Sequence, residues 1–122
     1  MPAPTHEDAM VMLKLMELAN TPDMDKAGRL IWSDDTVLDF KAFKEKYPIS
    51  SEQYGQVTGY LAWFETLATL WKQHLFNETL LYDWIMVRPI WTRLERLVAG
   101  IRQDRGMPRY CENFEALAAA EK

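Results

Sequence analysis

Two glutamates and two arginines with apolar neighbours are the residues whose types and positions best suit chemistry. Glu65 interrupts a row of small residues on one face of a predicted helix (Gly55, Thr58, Gly59, Ala62 and Thr69). Small residues let a second helix approach closely, which would remove the carboxylate from water, and a buried carboxylate must be paired or protonated. We therefore expect a buried polar network of charge-assisted hydrogen bonds that fixes helix packing. Its members are Arg29, Glu65, Arg102 and Glu115. The alternative is an inward-facing polar pocket for an anionic ligand.

Motifs for metal binding and covalent catalysis are missing from the sequence. No Glu-x-x-His pair is present, and the two histidines, His6 and His74, lie near a chain end and near a predicted helix end. Cys111 is the one cysteine, and we interpret it as a half-buried apolar thiol rather than an activated nucleophile. Gly-rich phosphate loops and the usual serine and zinc signatures are also absent. We therefore expect no catalytic residue, no metal ligand and no cofactor, and hence no enzyme.

Arginines cluster in the last third of the chain, where they are the best candidates for an anion or nucleic-acid contact: Arg93, Arg96, Arg102, Arg105 and Arg109. Acidic residues are interleaved with them, and the chain has 14 Lys and Arg against 18 Asp and Glu, a net charge of −4. Because a nucleic-acid binder needs a basic excess or a basic face, this balance disfavours nucleic acid as a partner.

A second kind of site is an aromatic and arginine-lined pocket that would bind a small molecule or an anion. Its candidate lining residues are Trp63, Trp84, Arg88 and Trp91. An open pocket with convergent polar groups would favour such a ligand-binding domain, whereas a filled core with an apolar surface patch would favour an interaction module.

Helices are the elements that must position these residues. The chain has 122 residues, 48% of them apolar, which suits a single helical domain over residues 1–122, with flexible ends at 1–5 and 119–122. Hairpin signals are lacking and strand-like alternation is brief, so the predicted fold class is all-α. We expect a helical bundle of five to six helices with two long antiparallel helices, the fourth and the fifth, as its spine.

Capping residues and apolar spacing give the expected helix bounds. The predicted starts follow Thr5, Thr21, residues 33–35, Ser50 and Asn77; the predicted ends lie near Asn20, Trp32, Tyr47, His74 and Arg105; and a last short helix begins at Pro108. Ser50 and Gln53 have the residue types and the spacing of a capping box at the start of the fourth predicted helix. The fifth helix has an apolar seam over residues 80–101 at alternating spacings of four and three. Pro89 removes one backbone donor from that helix, which predicts a kink or a brief break near Arg88.

The first predicted helix is apolar on nearly every side, so one face of a helical domain cannot cover all its large side chains. We expect homodimerisation through a face formed by Met10, Leu13 and Met16, since two-fold dimers are the commonest assembly. The alternative is that the fourth and fifth helices enclose it.

The predicted function is a non-enzymatic interaction or scaffold module that self-associates, with an unidentified protein as a further partner. The alternative function is the small-molecule or anion-sensing domain described above.

Membrane and export signals are not found in the sequence. The most apolar run, residues 9–19, contains Lys14 and Glu17, and it is about half the roughly twenty residues that a membrane span needs. No basic region resembling a secretory signal precedes it. With a single cysteine, these features predict a cytoplasmic protein without a membrane span.

Short, mostly aromatic motifs run along the chain in a defined order: Arg29, Trp63-Phe64-Glu65, Leu80-Leu81-Tyr82-Asp83-Trp84, Trp91, Ile101-Arg102, Tyr110 and Phe114-Glu115-Ala116-Leu117-Ala118. In order and spacing they resemble a family of small bacterial all-helical proteins that is catalogued only as a domain of unknown function. The resemblance covers about residues 22–118. Many members carry an N-terminal membrane anchor, which has no counterpart in this sequence. The resemblance implies an all-helical fold and no particular activity.

Overall fold

Seven α-helices and no strand make up residues 2–122, the part of the chain that the computed structural model describes. In chain order the helices are α1 (His6–Ala19), α2 (Pro22–Ile31), α3 (Phe40–Lys46), α4 (Glu52–Lys72), α5 (Glu78–Trp84), α6 (Val87–Arg105) and α7 (Glu112–Ala120). The all-helical prediction is confirmed. The predicted number of helices, five to six, is too low.

The extra helix arises where one long fifth helix was expected. This segment is divided into α5 and α6 at Ile85 and Met86, whose backbones are extended. Pro89 then lies in the first turn of α6, where the missing N–H of proline has no intrahelical partner to lose. The proline is therefore accommodated by starting a new helix, and the predicted break occurs a few residues before Arg88.

Local capping explains most of the helix starts. The Thr5 and Asp8 side chains form a capping box at α1, and the Thr21 hydroxyl accepts a hydrogen bond from the backbone of Met24 at α2. Two predicted caps are displaced along the chain. Ser51, not Ser50, caps α4, and Asp39, rather than residues 33–35, caps α3. The last helix begins at Glu112 instead of at Pro108, since the residues after that proline form turns.

The longest helices, α4 and α6, carry the apolar core. The closest helix packing is that of α2 and α7 on α4 and of α3 and α7 on α6. Phe114 of α7 stacks on Phe64 of α4, with ring centroids 4.9 Å apart, and meets the edge of Trp91 of α6 at 5.1 Å. The largest fully buried side chains come from α2 to α7: Ile31, Phe43, Val57, Leu61, Leu67, Leu81, Val87, Leu94, Leu97, Val98, Phe114 and Leu117.

Candidate functional site

Glu65, the acid expected to pair with an arginine, instead caps a helix. Its carboxylate accepts a hydrogen bond of 2.8 Å from the backbone N–H of Phe114, in the first turn of α7. Cys111 occupies the N-cap position of α7 with φ 56° and supplies no side-chain cap. The carboxylate of α4 therefore satisfies a free N–H at the start of α7, where negative charge also complements the helix dipole. Among residues 2–122, Glu65 forms no ion pair, so the expectation of an arginine partner is wrong.

The other three members of the predicted network lie in two separate places. Arg29 donates to Asp25 at 2.9 Å, one turn earlier on α2, and its side chain is 79% exposed. Arg102 does meet Glu115, at 2.9 Å, and it also donates to the carbonyl of Tyr110 at 2.7 Å. The Glu115 side chain is 50% exposed, so this pair lies at the surface. The predicted buried network of four is therefore wrong as a unit, because Arg29 lies on an outer helix face.

Distant carboxylates also accept hydrogen bonds from backbone N–H groups at the starts of two further helices, which sequence reasoning missed. Glu121 accepts hydrogen bonds from the backbone of Val87 at 3.0 Å and of Arg88 at 2.8 Å, at the start of α6. Asp8 accepts one from the backbone of Asn77 at 3.0 Å, just before α5. The hydrogen bond from the Thr5 backbone is the main cause that lowers the pKa of Asp8. One signal in the sequence could have indicated the Glu121 contact. The residue before α6 is Met86, whose side chain cannot cap a helix, so the first N–H groups of α6 need a partner from elsewhere in the chain. Of the residues expected to form flexible ends, Ala119 and Ala120 lie in α7, and Pro2, Thr5 and Glu121 form hydrogen bonds. Met1 lies outside the described residues.

Removing the Glu65 carboxylate should destabilise the protein more than removing the Glu115 carboxylate. We expect Glu65→Ala to lower the free energy of unfolding by about 1–2 kcal/mol, the usual loss for a helix cap. Glu115→Ala serves as the control and should lose about 0–1 kcal/mol, because its ion pair is half exposed. Urea denaturation of both variants measures the difference. Equal losses would show that the cap on α7 contributes nothing beyond a surface charge.

The four predicted pocket residues do not line one cavity. Trp63 and Trp84 meet edge to face at 6.0 Å, and the Trp63 indole N–H donates to the Leu15 carbonyl of α1 at 3.1 Å. Trp91 packs on Phe114 in the core. Together the tryptophans fill space between helices, so the predicted pocket of Trp63, Trp84, Arg88 and Trp91 is wrong.

Arg88 does border a large groove of about 940 Å³ between α5, the start of α6 and the end of the chain. Its guanidinium donates to the carbonyls of Ala118 and Glu121, and the Glu121 carboxylate occupies the N-terminus of α6. Burial is the main cause that raises the pKa of Tyr82, in the same groove, to about 12, and its hydroxyl donates to Leu117. These polar groups are thus engaged with the chain itself.

The structure also shows the surroundings of the remaining candidates for chemistry, which are Cys111, the possible metal ligands and the basic cluster. Cys111 is buried at 3% exposure, and burial is the main cause that raises its pKa to about 12, so the thiol stays protonated at neutral pH. No group of three or more His, Cys, Asp and Glu within residues 2–122 is placed to hold a metal ion. Arg93 of the basic cluster donates to the carbonyls of Ile31 and Ser33, which ties the chain after α2 to α6.

The outward face of α1 is the largest concentration of exposed apolar side chains on one helix. The exposed fractions are 67% for Met10, 59% for Leu13, 44% for Met16 and 51% for Leu18. Leu15, on the opposite face, is the one buried residue of α1. The structure therefore brings the three predicted residues to the surface on one helix and adds Leu18 at its edge.

The attachment of α1 to the rest of the protein is correspondingly light. Leu15 is buried in the core and Val11 and Met12 pack against it with part of their surface exposed. The Trp63 indole donates to the Leu15 carbonyl, and the Asp8 carboxylate accepts a hydrogen bond from the backbone before α5. In contrast, α4 buries seven residues. The helix thus lies at the edge of the fold with an apolar side facing outward. No helix in the described part of the chain is both long and apolar enough to cross a membrane.

Comparison with known proteins places the chain in a family. No curated protein and no solved structure matches it. The sequence model of DUF4760, a domain of unknown function, matches residues 4–120. The match spans nearly the whole chain and confirms the resemblance expected from the aromatic motifs. This all-helical chain is therefore a member of the DUF4760 family.

Proposed function

We propose that this protein is a non-enzymatic interaction module that self-associates through α1. The single observation that supports this proposal is the exposed apolar face of that helix, on which Met10, Leu13 and Met16 are between 44% and 67% exposed. Exposed apolar side chains that are contiguous rather than scattered are typical of interaction sites. Methionine side chains also adapt their shape to a partner, which suits a contact surface.

The size of this face favours a reversible dimer. A helix of 14 residues is about 21 Å long, and two such helices bury less area than a standard protein interface. Small interfaces of this kind are typically weak or transient. A module of this type would assemble and separate with concentration, in a cytoplasmic location that the single, unbridged cysteine supports.

Charge at the centre of the face should abolish the dimer. We expect the wild-type chain to show twice its monomer mass of 14.3 kDa at high concentration, with a dissociation constant of roughly micromolar order. Leu13→Glu should remain monomeric, because two carboxylates would be buried in the contact. Leu75→Glu is the matched control, since Leu75 is 63% exposed against 59% for Leu13 but lies outside α1. Size-exclusion chromatography with light scattering measures all three.

Other outcomes of this measurement distinguish the alternatives. A wild-type chain that stays monomeric at high micromolar concentration contradicts self-association, and the face would then suit a different protein. Loss of the dimer in Leu75→Glu but not in Leu13→Glu would place the contact elsewhere. The alternative function, a small-molecule or anion-sensing domain, has less support because Arg88 and Glu121 are bonded to the chain itself.

A further inference from the structure

The outward face of α1 has a seam with a spacing typical of paired helices. His6, Met10, Leu13 and Glu17 follow one another at intervals of four, three and four residues, and all four are exposed. This spacing keeps side chains on one side of a helix, as in the seam of a coiled coil. The two central positions of the seam are apolar, and its ends are a histidine and a glutamate.

Both flanks of the seam are also exposed, and they differ in character. Glu7 and Lys14 lie on one flank, one acidic and one basic, seven residues apart. Ala9 and Met16 lie on the other flank, one small and one large. Within one chain Lys14 makes a loose contact of 3.7 Å with Glu17, with both side chains largely exposed. A weak surface pair of this kind leaves Lys14 free to take another partner.

We propose that a second copy of the chain docks antiparallel on α1, about a two-fold axis that runs between the two helices, perpendicular to them and level with residues 11 and 12. This inference rests on the self-association proposed above and adds its orientation. The axis places Met10 opposite Leu13 of the second copy, so the apolar centre of the seam meets itself. It also places His6 opposite Glu17 at each end of the contact.

The same two-fold rotation also brings complementary side chains together on the flanks of the seam. In an antiparallel pair each flank faces the equivalent flank of the second copy, so Glu7 meets Lys14 twice, once on each side of the axis. On the other flank Met16 covers the space left by Ala9. A parallel pair would instead place Glu7 and Lys14 beside the uncharged flank. Charge and size complementarity thus favour the antiparallel arrangement.

Charge reversal on one flank tests the orientation. Glu7→Lys and Lys14→Glu should each weaken the dimer by about tenfold, because the two-fold axis converts each reversal into two like-charge contacts. An equimolar mixture of the two variants should regain nearly wild-type affinity as a heterodimer, since every facing pair is again of opposite sign. Sedimentation equilibrium measures each case. Thermal unfolding of each variant at low concentration checks that α1 remains folded.

Cross-linking gives an independent measurement of the same geometry. His6→Cys and Glu17→Cys should be joined by a short bis-maleimide only when the two variants are mixed, because residues 6 and 17 face each other across the axis. The wild-type chain is the control, since its Cys111 is buried.

The results separate the two proposals. A dimer in which His6→Cys cross-links to itself, or whose affinity is the same in both charge variants and their mixture, overturns the antiparallel arrangement and leaves self-association standing. A wild-type chain that never dimerises overturns both.

Discussion

Replacing Gly100 by alanine should lower the free energy of unfolding by about 2–3 kcal/mol, although alanine is the better helix former. A Cβ atom at this position of α6 would overlap the Cβ and Cγ atoms of Phe40 and lie 3.0 Å from its Cδ2. Phe40 is the first residue of α3, and its Cβ is fixed to the backbone, so no change of rotamer removes the overlap. The start of α3 would have to move away from α6.

A glycine without neighbours provides the matched control for this variant. Gly59 lies within α4, and a Cβ atom added there meets nothing within 4 Å. Gly59→Ala should therefore raise the free energy of unfolding by about 0.5–1 kcal/mol, the intrinsic gain of alanine over glycine in a helix. Urea denaturation of both variants measures the opposite signs. A stabilised Gly100→Ala variant would contradict the close approach of α3 to α6.

The regular features of this fold were predictable because they depend on neighbours in sequence. The capping box of Thr5 and Asp8 and the cap at Thr21 are each formed within one helical turn. The break before Pro89 follows from the missing N–H of proline. An α-helical spacing of apolar residues likewise predicted which side of α6 is buried. Local rules therefore fixed the fold class and most helix bounds to within a few residues.

Contacts between distant parts of the chain were the ones that could not be predicted. Glu65 was correctly singled out as an acid that needs a partner, yet the partner is the backbone of Phe114, 49 residues later. Every residue except proline has a backbone N–H, so no sequence pattern shows which one donates to a distant carboxylate. Gly100 is similar, because nothing in its neighbours indicates that Phe40 passes over it.

The exposed face of α1 was partly predictable for a different reason. Its residues are apolar on too many sides for one core to cover, and this excess is visible in the sequence. Which of them face outward depends on where α4 contacts the helix, through Trp63 and Leu15. The structure shows which side of α1 faces outward. The spacing of His6 and Glu17 can be interpreted only once it is known that both lie on that side.

The largest loss of stability should come from Phe114→Ala, which we expect to lower the free energy of unfolding by about 3–5 kcal/mol. Phe114 is fully buried, and its ring contacts Phe64 of α4 and Trp91 of α6, which themselves belong to the two longest helices. Its removal would leave a cavity where α7 joins these helices, and it would forfeit two aromatic contacts. Domains of this size are typically stable by about 5–15 kcal/mol, so a large part of the stability depends on this side chain.

Two further variants keep this prediction testable even if Phe114→Ala is too unstable to purify. Phe114→Leu retains much of the volume and should lose distinctly less, about 1–2 kcal/mol, because the cavity is smaller. Trp32→Ala removes an aromatic side chain that is 50% exposed and should lose about 1 kcal/mol or less. Urea denaturation followed by far-ultraviolet circular dichroism measures all three. If Phe114→Leu is no less stable than Trp32→Ala, then α7 is not held to α4 and α6 through this ring.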